Sequence, residues 1–212
     1  MPDAVNLWGS AEHALGYLAR AASIPHRAEG EAELLAWLPA RAARVLDLGS
    51  GDGRLLGLVR LAHPDSEAVA LDFSDTMLER LRTRFGGDRR VQVLAHNLDQ
   101  PLPDTLGTFD AIVSSFAIHH LTHERKRAVY SEVFRLLTPA GVFCNLDHVA
   151  SATRPLHERF LACLDIRPED EDPSNKLLDI QTQLAWLRAI GFADVDCHWK
   201  WRELALVAGS RP

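Results

Sequence analysis

Three glycines at alternate positions, Gly49, Gly51 and Gly53, close a short apolar run, Val45-Leu46-Asp47-Leu48. Glycine tolerates positive φ and leaves no Cβ between backbone and ligand, so this spacing suits a loop that wraps a bound molecule. A helix expected at 54–62 would offer the unpaired N–H groups of its first turn to the same place. The spacing G-x-G-x-G, with Arg54 next, is not the G-x-G-x-x-G of a dinucleotide site. It also lacks the G-x-x-x-x-G-K-[ST] of a phosphate loop. Asp47 and Asp52 flank the loop. Their carboxylates repel a pyrophosphate and favour a ligand carrying an ammonium or sulfonium charge. Asp72 ends a second apolar run 19 residues after Gly53. An acid there can accept hydrogen bonds from both hydroxyls of a ribose, and Phe73 is placed to pack on an adenine face.

The elements that must position these residues follow a rhythm. Short apolar runs at 44–48, 68–72, 91–95, 109–114 and 141–147 alternate with helical patterns. Near-continuous apolar runs suit strands buried on both faces of a parallel sheet. Residues 75–85 align Met77, Leu78, Leu81 and Phe85, and residues 122–137 align Val129, Val133, Leu136 and Leu137. Thr122 is the expected N-cap of the second helix, and Pro139 with Gly141 its expected stop. Strand–helix alternation predicts a doubly wound α/β sheet. The last two runs, 193–201 and 203–208, are separated only by Arg202 and should pair antiparallel. Residues 1–40 read as a helical cap, with Leu34, Leu35 and Leu38 on one stripe. Residues 150–180 read as an insertion holding a helix at 155–165 and an acidic, proline-bounded loop at 168–173, either a solvated connection or a lid edge.

Composition excludes several classes. The 212 residues are 47% hydrophobic and 25% charged, ordinary for a globular domain. No apolar run is long enough for a membrane span, and the first residues lack the pattern of a secretory signal. Three scattered cysteines form no disulfide framework or CxxC motif, which predicts a cytoplasmic protein. The net charge of −6 argues against a nucleic-acid partner. Arg89-Arg90 and Glu124-Arg125-Lys126-Arg127 read as solvated surface. Nothing in the sequence sets an oligomeric state.

The motifs together resemble the class I S-adenosylmethionine-dependent methyltransferases. VLDLGSGDG resembles their glycine-rich first motif and ALDFS their ribose-binding acid. HNLDQPLP (96–103), FDAIVSSFAIHHL (109–121), LLTPAGVFCNLDHV (136–149) and LRAIGFADVDCHWKW (187–201) resemble the later motifs in the family's order. The resemblance implies a mostly parallel seven-stranded sheet with an antiparallel C-terminal strand, carried by residues 41–212, and S-adenosylmethionine as cofactor. It further implies that Gly49, Ser50 and Gly51 contact the methionine part and that Asp47 and Asp52 hold its amino group. Asp72 would hold the ribose, and Asn97 and the Leu98 N–H would meet adenine. Ser115 and Phe116 would line the sulfur side. Asn97 departs from the family's usual Asp, although its amide oxygen can still accept. In the cap, Tyr17 or Arg27 is expected to reach the cofactor carboxylate.

Methyl transfer places an acceptor atom in line behind the methyl, sometimes with a general base. Histidines stand where such sheets gather substrate groups, just past the fourth and fifth strands. His148 is the first candidate for base or substrate-orienting group and His120 the second, against hydrogen-bonded or packing roles. His119, His120 and His123 lack a matching carboxylate or cysteine, so no metal is expected. The expected acceptor is a small molecule methylated at O, N, S or C. The rivals are a transfer-RNA or protein acceptor, a cofactor-binding protein without turnover, and an NAD(P) enzyme, which the glycine spacing disfavours.

Overall fold

Neighbouring residues on the central strands point to opposite faces, and both faces are apolar. In the computed structural model, Leu46, Leu48, Ile112 and Phe143 enter one core, while Val45, Val113, Cys144 and Leu146 enter another. The structure describes residues 7–21 and 23–212. The rest of the expected cap, at 1–6 and 22, lies outside the described residues.

The strands are β1 (Arg44–Leu48), β2 (Glu67–Asp72), β3 (Val91–Ala95), β4 (Phe109–Ser115), β5 (Leu137–His148), β6 (Ala193–Trp201) and β7 (Leu204–Ser210). They form one sheet in the order β3-β2-β1-β4-β5-β7-β6. β1 pairs parallel with β2 and β4, β2 with β3, and β4 with β5. β7 pairs antiparallel with β6, as the short 202–203 connection requires, and also antiparallel with β5. The strand order reverses between β1 and β4. In open α/β sheets that reversal opens a crevice at the carboxyl ends of the strands.

Helices cover both faces. Val129 and Val133 of α5 (His123–Leu136) and Leu184 and Leu187 of α7 (Ile180–Ile190) seal one core. Leu34 of α2 (Arg27–Trp37), Leu55 and Val59 of α3 (Arg54–Ala62) and Phe160 of α6 (Arg154–Cys163) seal the other. α4 (Asp75–Phe85) packs Leu78 and Leu81 on Ala68 and Ala70 of β2. α1 (Ala11–Ala21) precedes α2, and the two are separated by a turn in which His26 takes a φ of 59°. No helix among the described residues is long and apolar enough to cross a membrane.

Three expectations need correction. α5 is capped by Thr122 as expected, but it ends at Leu136, because Leu137 is already extended and paired with Phe109. Pro139 and Gly141 therefore lie in an irregularity of β5, between the Phe109 and Ala111 pairings, and do not stop the helix. The run Glu124–Arg127 is not uniformly solvated: Lys126 is only 2% exposed. Glu132, a charged residue outside the Val129–Val133–Leu136 stripe, is also buried and paired with Arg125 at 2.6 Å. That pair has a local purpose, since Arg125 also donates from Nε to the Leu98 carbonyl at 2.6 Å and from Nη2 to the Gln100 carbonyl at 2.7 Å. It pins the loop after β3 against α5.

Candidate active site

The carboxyl ends of β1, β2 and β4 frame a cleft of about 890 Å³, its open mouth included. Its floor is the glycine loop. Gly49 has a φ of 67°, and a Cβ there would sit 2.3 Å from the Cβ of Ala117, so only glycine lets β1 pass the segment after β4. At Gly51, φ is 57° and a Cβ would meet nothing within 4 Å. The backbone there is bare towards the cleft.

The loop is tied to β2 by its own N–H groups. Ser50 N–H donates to the Leu71 carbonyl and Gly51 N–H to Asp72 Oδ2, both at 2.8 Å. Asp72 Oδ1 accepts from Ser74 N–H at 2.9 Å. Each carboxylate oxygen keeps further lone pairs for hydroxyl donors. Burial raises the Asp72 carboxyl above its ordinary value, and the backbone donors only partly offset that. Asp47 differs: it is buried, and neither carboxyl oxygen has a hydrogen-bond partner of good geometry, the Ser50 hydroxyl being turned to the Asp47 carbonyl at 3.0 Å. Burial, with the Asp72 charge adding to it and the nearby Ser50 hydroxyl and Leu56 N–H only partly opposing it, pushes this carboxyl up to about 7. An unpartnered acid in a cleft wall is a receptor for a cationic donor.

Basic groups stand opposite. Arg54 grips Glu31 with two 2.7 Å bonds, and Arg27 Nε reaches the same carboxylate at 2.8 Å. Burial works to raise the Glu31 carboxyl, but the hydrogen bonds and charges of Arg54 and Arg27 hold it below the usual range. The two guanidiniums and one carboxylate leave one net positive charge beside Asp47 and Asp52. A zwitterionic amino-acid group would meet both signs here. Arg27 lies over the Phe116 ring at 5.0 Å and donates to Tyr17 Oη at 3.4 Å. Phe73, Asn97, Leu98 and Ser115 also line the cleft. Ser115 Oγ is buried without a partner. Asn97 Oδ1 accepts from Asp99 N–H at 2.9 Å, which fixes the amide.

A second, wider cleft of about 2110 Å³, again including open solvent, adjoins the first. Trp8, Tyr17, Phe116 and His120 line both. Ile24, Phe160, Leu161 and Leu204 give the second cleft apolar walls, and Asp170, Glu171 and Asp172 form one edge. The acidic loop is held in place: His157 Nε2 bonds Glu171 at 3.0 Å and His13 Nε2 lies 3.2 Å from Asp172.

The histidines separate into distinct environments. His120 stands where the clefts meet. Its Nδ1 lies 2.9 Å from Ser174 Oγ, and its Nε2 is buried without a partner. Burial, then the charges of His119, Lys126 and Lys176, depresses its pKa far below the ordinary range, so the ring is neutral. His148 lines only the second cleft, and its Nε2 is held by Glu203 at 2.8 Å. Burial lowers its pKa, and Glu203 only partly opposes that. Glu203 also accepts from Ser151 and, at 3.1 Å, from His157.

His119, which the motif reading passed over, lines the second cleft and is bonded through Nδ1 to Asp147 Oδ1 at 2.6 Å. Asp147 Oδ1 also accepts from His148 N–H at 3.0 Å. β4 and β5 run parallel with Ser115 opposite Leu146, so residues just past β4 meet the end of β5. The His-His pair and the Asp147-His148 pair were visible as types; which side chains meet was not. Glu31 and Arg54 were also missed. Arg154 is exposed and pairs with Glu158 outside both clefts.

Comparison with known proteins agrees with this layout. Residues 45–141 match the family model described as "Methyltransferase domain". A demethylmenaquinone methyltransferase from Clavibacter sepedonicus is 33% identical over 174 residues, covering 74% of this chain and 69% of that protein. Among solved structures, an O-methyltransferase family protein from Burkholderia thailandensis superposes with a TM-score of 0.73 at 19% identity, over 96% of this chain and 61% of that one. Human N-acetylserotonin methyltransferase in complex with S-adenosylmethionine gives 0.69 at 13% identity, over 97% and 57%. The chain thus spans about three fifths of the length of these two neighbours. Fold, glycine loop and relatives together define a Rossmann-like methyltransferase. The chain belongs to the class I S-adenosylmethionine-dependent methyltransferases.

Proposed function

We propose that this protein transfers a methyl group from S-adenosylmethionine to a small-molecule acceptor at O, N, S or C. The observation that carries this reading is the unpartnered Asp47 carboxylate beside a bare glycine loop, next to a second cleft that shares four wall residues with the first. When bound, the cofactor supplies an activated methyl group on a sulfonium. Asp47 and Asp52 would pair with its ammonium, and Arg27 with Tyr17 would face its carboxylate. Asp72 would accept from the ribose hydroxyls, and Asn97 and the Leu98 N–H would meet the adenine edge. Ser50 and Phe73 complete the walls around it, and Ser115 with Phe116 border the passage to the second cleft.

For an acceptor that loses a proton, His119 is the best-placed base. Its Nδ1 is committed to Asp147, which orients the ring and stabilises the imidazolium formed when Nε2 takes the proton. His120, a neutral ring at the junction, lines the acceptor's path. His148, committed to Glu203, shapes the far wall. The relative named for demethylmenaquinone and the apolar walls support an acceptor with an apolar body. We read residues 1–40 as a cap and 150–180 as a substrate-side insertion. The thiols Cys144, Cys163 and Cys197, none in a disulfide, support a cytoplasmic location.

Titration calorimetry with S-adenosylmethionine and S-adenosylhomocysteine, followed by methyl-release assays over panels of hydroxyl, amine, thiol and carbon acceptors, tests the reading. Binding of both nucleosides with turnover of a small acceptor is the expected result. Indifference to both would remove it.

A further inference from the structure

Lys126 is one of the largest fully buried side chains in the molecule. It sits in the first turns of α5, where the positive end of the helix dipole makes a cation unfavourable. No carboxylate among the described residues makes an ion pair with it. Its Nζ donates instead to three carbonyls, those of His119 at 3.0 Å, Leu121, and Lys176 at 2.7 Å. Two belong to the turn that carries His119 and His120, and the third to the insertion.

The same junction is closed by further bonds. Lys176 N–H donates to the His119 carbonyl at 3.0 Å, and Lys176 Nζ to the His120 carbonyl at 2.8 Å. Ser174 Oγ meets His120 Nδ1 at 2.9 Å. The His119 carbonyl therefore accepts from two donors that reach it from different elements. Dehydrating an ammonium is expensive, and an apolar side chain would fill this space without that cost. Three tetrahedrally arranged N–H groups can satisfy three carbonyls that converge on one point, and a methionine or leucine leaves all three unpaired.

We infer that Lys126 is a positioning residue for the proposed reaction: its ammonium, caged by the carbonyls of His119, Leu121 and Lys176, sets the His119–His120 turn and docks the 174–178 segment beside the acceptor cleft. This inference rests on the methyltransferase reading only for its consequence in turnover; the cage is a property of the fold. Burial lowers the Lys126 pKa to about 8, opposed by Asp147 and helped by Lys176. The groups that face it are Asp147 on β5, Lys176 in the insertion, and His119 and His120 on the turn. Above about 8 the cage loses a donor and its charge.

The test needs no acceptor. Lys126→Met and Lys126→Arg are compared with wild type by calorimetry with S-adenosylhomocysteine, by nitrogen NMR of labelled histidines, and by amide exchange at Lys176. In Lys126→Met, nucleoside affinity should stay within about threefold, because the glycine loop and Asp72 hold the nucleoside from other strands and the turn adds only His120 and Leu121 to that cleft. The His119 and His120 ring resonances should move, and Lys176 should exchange about tenfold or more faster. Lys126→Arg should restore part of both. In wild type the same resonance changes should appear on raising the pH past 8, and in Lys126→Arg they should be absent. If Lys126→Met does not fold, the wild-type and Lys126→Arg pH series decides. Unchanged histidine resonances in Lys126→Met, or an alkaline transition that persists in Lys126→Arg, would overturn the inference. Failure of wild type to bind the nucleoside would instead strike the proposed function and leave the cage intact.

Discussion

The two clefts are built on opposite principles. The first is assembled at the ends of three adjacent strands: a glycine loop whose missing side chains leave the floor open, tied to β2 by its own N–H groups, with acids set beside it by short sequence intervals. The second is assembled from residues 7–24, the turn after β4, the end of β5, α6 with its following loop, and the start of β7. It relies on side chains that meet across long sequence distances, such as His119 with Asp147, His148 with Glu203, and His157 with Glu171. A ligand common to a family can be held by a loop and a few acids that the fold itself sets side by side. An acceptor particular to one protein must be read by side chains, which the same fold leaves variable.

Substitutions can break or sharpen this contrast. The largest effect is expected at His119. Removing a general base typically costs ~10²–10⁴ in rate, so His119→Asn should depress turnover on a hydroxyl acceptor by that order while nucleoside affinity stays nearly constant. His148→Ala should lower it less than about tenfold, because its ring is already bonded to Glu203. Equal losses at both positions in steady-state assays would erase the distinction between the two histidines.

Next is Gly49→Val. Forcing a Cβ into left-handed backbone and against Ala117 combines strain of ~1–2 kcal/mol with overpacking of ~1–3 kcal/mol. Denaturant titration should show a loss of that order together with loss of nucleoside binding. A stable variant that binds normally would mean the loop is not the floor of the site. Asp72→Ala should weaken nucleoside binding by ~1.5–3 kcal/mol, the scale of hydrogen bonds to a charged group. Unchanged affinity in calorimetry would refute the ribose assignment.

Asp47 supplies a pH test. In the ligand-free protein its pKa of about 7 lies above the ordinary 3.8. Its contribution to folding is therefore present at low pH and is lost as the pH rises through 7. An ammonium bound beside it reverses the preference, so nucleoside binding should release a proton below pH 7 and affinity should rise at most ~tenfold per pH unit before levelling. Calorimetry in buffers of different ionisation enthalpy reads that proton directly. Asn97→Ala is the smallest, at ~1 kcal/mol of affinity for one neutral hydrogen bond. A loss as large as that of Asp72→Ala would show a heavier role for the amide.

Much of the first cleft was readable from residue order because its parts are local. A strand, a glycine turn and an acid one strand over are set by spacing, and the structure puts Asp47, Gly49, Gly51, Asp72, Phe73, Asn97, Leu98 and Ser115 around one cavity. The second cleft was readable only as a list of types. His119 was no candidate base in the sequence, and the acidic loop read as either a solvated connection or a lid edge; in the fold His157 and His13 hold it. Lys126 was misjudged for a clear reason. On a helical wheel it falls among charged residues, yet the turn before α5 and the segment around Lys176 close over that spot.

Residue types and intervals alone settled the layered α/β architecture, the glycine loop with its flanking acids, and the antiparallel closing hairpin. Each depends on interactions within a few residues or between neighbouring strands, where periodicity and turn chemistry decide the outcome. Only the folded chain decided which histidine meets a carboxylate, which lysine is buried, and that Glu31 joins two arginines. His119 with Asp147, Arg54 with Glu31 and Lys126 with Lys176 each join residues tens of positions apart, and their partners are chosen by how helices and loops pack on the sheet ends, not by any interval along the sequence.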